Sequence, residues 1–261
     1  MCRACRYQAS ITAGTIFQDT RKPLTLWFHT IWALTSPKTG ASALALQQIL
    51  GLGSYETAWT WLHKLRRAMV RPGRERLKGE VEVDETFIGA PEEGRHGRRM
   101  IEKTRVVVAA EKDGRNIGRI RMRRVPDGSA QSLHPFVKDS IEPGSTLLTD
   151  DWQGYAGLDG YRRRIKQIAH SGKTASQRMP RVHRVVSLLK RWLMGTHQGA
   201  VSHEHLDYYL DEFTFRFNRR TSASRGKLFY RLTQNAVRLP PAPYDSLTRH
   251  VRGRKPKKHN P

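Results

Sequence analysis

The chain has 261 residues, with 47 Lys and Arg against 23 Asp and Glu, a formal net charge of +24 and a pI near 10.8. A balance so one-sided repels itself unless a polyanion is present, which points to nucleic acid, although a solvated basic surface or a ribosome-type RNA binder carries the same charge. No apolar run approaches the ~20 residues of a membrane helix, no signal peptide is visible, and two cysteines exclude a disulfide framework. A cytoplasmic, nucleoid-associated protein without membrane contact is expected.

Cys2 and Cys5 have the C-x2-C spacing of a single zinc knuckle, and no second pair follows. A tetrahedral site needs two more ligands, so residues 1–22 are read as the remnant of a zinc ribbon begun upstream, and zinc at Cys2/Cys5 is not expected. From Pro23 the pattern becomes helical. Leu24, Trp27, Phe28, Ile31, Trp32 and Leu34 repeat at helical spacing and stop before Ser36-Pro37. Ala43 to Leu50, preceded by Ser42 and closed by Gly51-Leu52-Gly53, predicts a second helix. Ser54 opens a third, which turns Ala58, Trp61, Leu62, Leu65 and Met69 inward and carries the basic run Lys64-Leu65-Arg66-Arg67. Two short helices about a glycine-bearing turn match a helix-turn-helix and an ordinary helical hairpin about equally, and the basic charge favours DNA binding. Residues 23–72 are expected as a small helical domain, closed by Arg71-Pro72-Gly73.

Val81 to Gly89 differs from everything before it. Val81, Val83 and Phe87 alternate with Glu82, Asp84 and Thr86 as in a strand. Yet Glu82, Asp84 and Glu85 put three carboxylates into four positions, which repel one another and are costly to bury without a cation. An edge strand could show Glu82 and Asp84 to water, but Glu85 shares the parity of Val81 and Val83. On a basic chain the simplest reading is a magnesium-type metal site. Residues 94–105 follow as a basic, glycine-containing loop, and Val106 to Ala110 as a strand covered on both faces. Ile120 and Met122 alternate with Arg119, Arg121 and Arg123, which predicts a half-exposed strand with a basic face. A helix over 129–140 and a short buried strand from Thr146 to Thr149 lead to Asp150-Asp151, at the carboxyl end of a strand, where α/β sheets place their chemistry. Of the two amphipathic helices beyond, the first carries Val182, Val185, Val186, Leu189 and Leu193 as a stripe, with His183, Ser187 and Lys190 on the neighbouring flank. Read alone, His183 is a surface histidine. The second helix spans Leu206 to Arg219, and residues 223–261 are expected as a basic tail, with Arg252 to Lys258 drawn to phosphates.

Taken together, Ser42-Ala43-Leu44 through Gly51-Leu52-Gly53-Ser54-Tyr55, Thr57-Ala58-Trp59, Val83-Asp84-Glu85-Thr86, Thr149-Asp150-Asp151-Trp152, and Tyr209-Leu210-Asp211-Glu212-Phe213 with Phe217-Asn218-Arg219-Arg220 resemble one group of bacterial DDE transposases, the insertion-sequence family numbered fifteen-ninety-five. The resemblance covers about residues 1 to 225. It implies an α/β fold, an RNase H-like mixed five-stranded sheet flanked by helices over 78–222, preceded by the small helical helix-turn-helix domain. Asp84 would sit on the first strand, Asp150 just after the fourth, and the third acidic ligand on a late helix. There the sequence departs from the pattern. Aligning Ser187-Leu188-Leu189-Lys190-Arg191 puts His183 where the common form has Glu, with Lys190 kept seven positions on.

The resemblance implies a DNA transposase that binds insertion-sequence ends and catalyses metal-dependent phosphodiester hydrolysis and strand transfer. Two divalent ions, Mg or Mn, would be held by Asp84, Asp150 and His183, with Asp84 bridging both. Lys190 would hold a DNA phosphate beside them, and Glu85 would be a further ligand or an acid supporting the ligands from behind. Imidazole suits Mn²⁺ better than the harder Mg²⁺, so His183 predicts a preference for manganese. The expected partners are double-stranded DNA, both element terminal repeats and target, and further copies of the chain on that DNA. Two rivals stand beside this reading: a DNA-binding regulator that has lost catalysis, and a structure-specific metal-dependent nuclease without strand transfer.

Overall fold

The computed structural model describes residues 3–5, 10–71, 73–89, 104–165, 179–199 and 201–248. The chain divides into two compact units, one of residues 73–220 and one in which residues 1–72 are joined by 221–261.

The N-terminal helices are α1 (Leu24–Thr35), α2 (Ala43–Leu50) and α3 (Tyr55–Arg67). Ser42 accepts the Ala45 amide at 3.1 Å as the cap of α2. Gly51 ends that helix in the left-handed conformation, φ 59°, which only glycine adopts without strain. The core here is aromatic: Trp27 stacks on Trp61 at 4.0 Å between ring centroids, and Phe17 meets Trp27 edge-on. Ala58, Trp61, Leu62 and Leu65 on α3 are buried as expected, and so is Met69 just past its end. On α1 the expectation fails at Phe28 and Trp32, which are 40% and 50% exposed, because the buried stripe runs instead through Trp27, Ile31 and Leu34. Arg66, from the basic run of α3, is buried beside His63.

The second unit is built on strands β1 (Glu80–Ile88), β2 (Thr104–Asp113), β3 (Asn116–Arg124), β4 (Thr146–Thr149) and β5 (Arg162–Ile165). Their order in the sheet is β3-β2-β1-β4-β5. The first three form an antiparallel meander, and β4 and β5 run parallel to β1. This is the RNase H-like mixed five-stranded sheet that the family resemblance implies. Helix α4 (Ala130–Ser140) makes the crossover from β3 to β4 and covers one face, with Leu133, Phe136 and Val137 packed on Val81, Val83, Val107, Ala109 and Leu147. Helices α5 (Pro180–His197) and α6 (Leu206–Phe217) cover the other, with Val182, Val185, Leu189, Leu210 and Phe213 packed on Val106, Val108, Ala110 and Ile120. The continuous apolar run of β2 is thus explained by burial on both sides.

β3 departs from its reading as a strand with an exposed basic face. Residues 75–77 lie over that face: Arg119 donates to the Arg76 carbonyl, Arg121 to that of Glu75, and Leu77 bridges to Ile141. Arg119 is held by Glu111 at 2.9 Å, and Arg121 is buried, which lowers its guanidinium to a pKa of about 10. β5, with the run Arg162-Arg163-Arg164, has no strand pattern and goes unseen in the sequence.

Beyond residue 220 the chain returns to the N-terminal unit. Residues 223–261, expected as a tail, contain α7 (Arg225–Ala236) and α8 (Tyr244–Thr248). Leu228, Leu232 and Ala236 are buried, and the Asn235 amide donates to the Ala68 carbonyl at 2.9 Å. Cys2 and the Arg252–Lys258 stretch lie outside the described residues, and Cys5 is exposed.

Candidate active site

β1 is the middle strand of the sheet, so its carboxylates cannot be those of an exposed edge. Side chains alternate across a strand, and the three acids therefore divide between two faces and have different surroundings.

Glu82 faces α5. Its Oε2 accepts the backbone N–H groups of Arg181 and Val182 at 2.7 and 2.9 Å, and its Oε1 accepts the Arg181 guanidinium at 3.0 Å. The first turn of a helix has N–H groups without partners and a positive dipole end, and a buried carboxylate satisfies both. Glu82 is therefore the anchor of α5 on β1. Glu212, another acid that could have substituted for a missing ligand, is buried against Arg216 at 2.8 Å.

Asp84 lies two residues further along the same face. Its Oδ1 accepts the Glu85 amide at 2.8 Å, and its Oδ2 lies 3.9 Å from Nε2 of His183, one turn into the helix that Glu82 anchors. Nε2 of His183 is buried and has no hydrogen-bond partner. The β1–β4 register pairs Glu80 with Thr146, Val81 with Leu147 and Glu82 with Leu148, so two more steps bring Asp84 alongside Asp150. Neighbouring strands are about 4.8 Å apart. Burial, reinforced by the repulsion of Asp150 and Glu85, raises the Asp84 carboxyl to a pKa of about 7, against the counteracting Glu85 amide.

Asp150 is held by its own turn. Its Oδ1 accepts the Trp152 amide at 3.1 Å, and Arg163 on β5 binds the carbonyls of Asp150 and Trp152 and the Thr149 hydroxyl. The Trp152 indole donates to the Gly128 carbonyl at 2.6 Å. Gly154 packs so closely there that a Cβ would collide with that same oxygen. The Trp152-Gln153-Gly154-Tyr155 sequence after Asp151 is the trace this packing leaves in the chain, and sequence reasoning assigns it no role.

Glu85 points to the opposite face of the sheet. It accepts the hydroxyl of buried Tyr155 and is paired with Arg105 at 3.2 Å. Burial raises its carboxyl while Tyr155 and Arg105 oppose the rise, and burial with the Glu85 charge pushes the Tyr155 phenol well above its ordinary value. Lys190 is exposed on α5 and borders a cleft of about 220 Å³ with Phe87, Ile88, Leu193 and Met194, at the carboxyl end of β1. Among the described residues no three His, Cys, Asp or Glu side chains are already closed into a metal cage.

Residues 76–218, more than half of the chain, match the ISXO2-like transposase domain. The chain belongs to this transposase family. The matched span opens just before β1 and contains Asp84, Asp150, His183 and Lys190. Over 235 residues the chain is 23% identical to an uncharacterized protein in transposable element ISH50 of Halobacterium salinarum, covering 83% of this chain and 77% of that protein. Two solved structures are also similar: an intasome of simian T-cell lymphotropic virus in complex with PP2A regulatory subunit B56 gamma (TM-score 0.40, 17% identity, 82% of this chain and 75% of that one) and the Mos1 strand transfer complex (TM-score 0.28, 13% identity, 84% and 81%). No described helix is long and apolar enough to cross a membrane.

Proposed function

We propose that the chain is a DNA transposase that cleaves phosphodiester bonds at element ends and joins the freed strand to target DNA, using Asp84, Asp150 and His183 to hold divalent ions. The observation that carries this reading is the convergence at Asp84. Asp150 lies two steps beyond the last β1–β4 pair, level with Asp84 and close enough to repel its charge, and an unpartnered, buried imidazole nitrogen lies 3.9 Å from Asp84. Two carboxylates and an imidazole are a fitting donor set for Mg²⁺ or Mn²⁺, and burial beside Asp150 makes the Asp84 carboxylate costly without a cation. Ions held there would activate a water or 3′-hydroxyl and stabilise the departing oxygen.

The protein's own part is positioning. Glu82 fixes the start of α5 and hence His183, and Arg163 with Trp152 fixes the Asp150 turn. Lys190 lies seven residues, about two turns, along α5 from His183 and would take a backbone phosphate. Glu85 is turned away from this face and supports the site from behind. The helix-turn-helix of α2 and α3 would read the terminal repeats, with Lys64 and Arg67 among the cations on its second helix.

The test is cleavage of labelled element-end DNA by the full chain with Mn²⁺, followed by addition of a target plasmid. Asp84→Asn and Asp150→Asn should each lower cleavage at least about 100-fold, and exposed Asp151→Asn should not. Cleavage without joining would mark a nuclease, and binding without cleavage a regulator.

A further inference from the structure

The parallel ladder between β1 and β4 ends at Glu82 and Leu148, below the level of the two aspartates. Asp84 and Asp150 therefore face each other beyond the last paired residues of this ladder, and their like charges push them apart. Arg163 and Trp152 tie the Asp150 turn to β5 and to Gly128, and neither of these bonds reaches β1.

We infer that Glu85 and Tyr155 form a clamp through the back of the sheet that sets the separation of Asp84 and Asp150. Glu85 follows Asp84 directly, and Tyr155 comes five residues after Asp150 at the end of the same turn. The phenol is buried among Leu133, Phe136 and Leu147 and donates to Oε1 of Glu85, while Oε2 is held by Arg105 on β2. One bond thus ties the residue next to Asp84 to the far end of the Asp150 turn, on the face opposite the proposed ions. Arg105 stacks over Phe87 at 4.7 Å and so keeps Glu85 aimed at Tyr155. Glu85, Tyr155 and Arg105 are positioning residues, and this role rests on the metal reading of Asp84 and Asp150 given above.

The experiment uses the full chain with Mn²⁺ alone as ligand, measured by calorimetry, and hydrogen exchange of the metal-free protein. Tyr155→Phe keeps the ring and removes only the hydroxyl. It should weaken Mn²⁺ binding about 10-fold and speed exchange of the amides in 150–156 while leaving the rest of the sheet protected. Glu85→Ala should do the same, and the double variant should be no weaker than Glu85→Ala, because one link is lost only once. Glu85→Gln keeps an acceptor for the phenol and should recover part of the loss. Tyr161→Phe removes a phenol that donates to the Ile141 carbonyl at 3.0 Å on the same side of the sheet and should change neither readout. The clamp is overturned if Tyr155→Phe leaves exchange in 150–156 unchanged, or if Tyr161→Phe loosens that turn equally. A wild-type chain with no Mn²⁺ binding sensitive to Asp84→Asn would sink the metal reading alone; exchange in the turn would then still decide the clamp.

Discussion

At the scale of single residues, Asp84 carries the clearest consequence. Its carboxyl titrates near 7 in the folded chain against an ordinary 3.8, so between those values the folded state holds a proton that the unfolded state has released. Below about pH 4 both states are protonated and the site costs nothing. Stability then falls as pH rises from about 4 to 7, and above 7 the full cost of the buried carboxylate is present. That cost is at most about 4 kcal/mol, because each tenfold change in proton affinity is worth about 1.4 kcal/mol. Without metal the wild type should have a lower urea midpoint at pH 8 than at pH 5, and Asp84→Asn should flatten that difference. A wild-type profile as flat as the variant's would contradict the burial of the charge. His183 gives the second prediction. Cleavage should be faster with Mn²⁺ than with Mg²⁺, His183→Glu should narrow the gap, and His183→Ala should lose most activity in both. Equal cutting by His183→Ala would make the ring a bystander. Strand parity in the sequence already puts Asp84 on one face and Glu85 on the other. It does not show that Glu82 anchors a helix or that Glu85 holds a tyrosine, because Arg181 is 99 positions away and Tyr155 70.

At the scale of elements, the site depends on how α5 is attached to β1. A helix start pinned by a buried carboxylate has three bonds at one side chain, and removing that acceptor leaves Arg181 and two N–H groups without it. Glu82→Ala should cost about 3–5 kcal/mol, which for a unit of this size lowers Tm by roughly 6–20 °C. Metal affinity should fall as well, since His183 is carried by the same turn. A Tm within about 2 °C of wild type, read by calorimetry, would show that the anchor is dispensable. The elements legible in the sequence are those whose residues repeat with a period: the alternation in β1, the apolar run of β2, the stripes of α3, α5 and α6. β5 is hidden because Arg162-Arg163-Arg164 shows no alternation, and its place is set by parallel pairing to β4. The exposed aromatics of α1 mislead because Trp32 and Phe28 fall within helical spacing of a stripe they flank.

At the scale of the whole chain, composition points to a polyanion and motif order to two functional halves, but neither points to the return of the chain after residue 220. Residues 223–261 read as a tail because of the Lys/Arg-rich run from Arg252 to Lys258. Leu228, Leu232, Ala236, Ala242 and Leu247 are nonetheless buried in the unit formed with residues 1–72. Burying a leucine contributes about 1.5–3 kcal/mol, a large share of the roughly 5–15 kcal/mol that holds a typical domain. Truncation after Arg220 should therefore unfold the helical unit while leaving residues 73–220 intact. The Trp27–Trp61 stack supplies a readout, as near-ultraviolet circular dichroism from it should collapse in the truncated chain. Affinity for duplex DNA should drop at least about 10-fold at constant salt, because the folded unit is needed to present the basic residues of α3. For the same reason a fragment limited to residues 39–70 should be unable to bind on its own. A truncated chain with native dichroism and undiminished affinity would mean that α1 to α3 form a self-sufficient core, and that α7 merely rests on it.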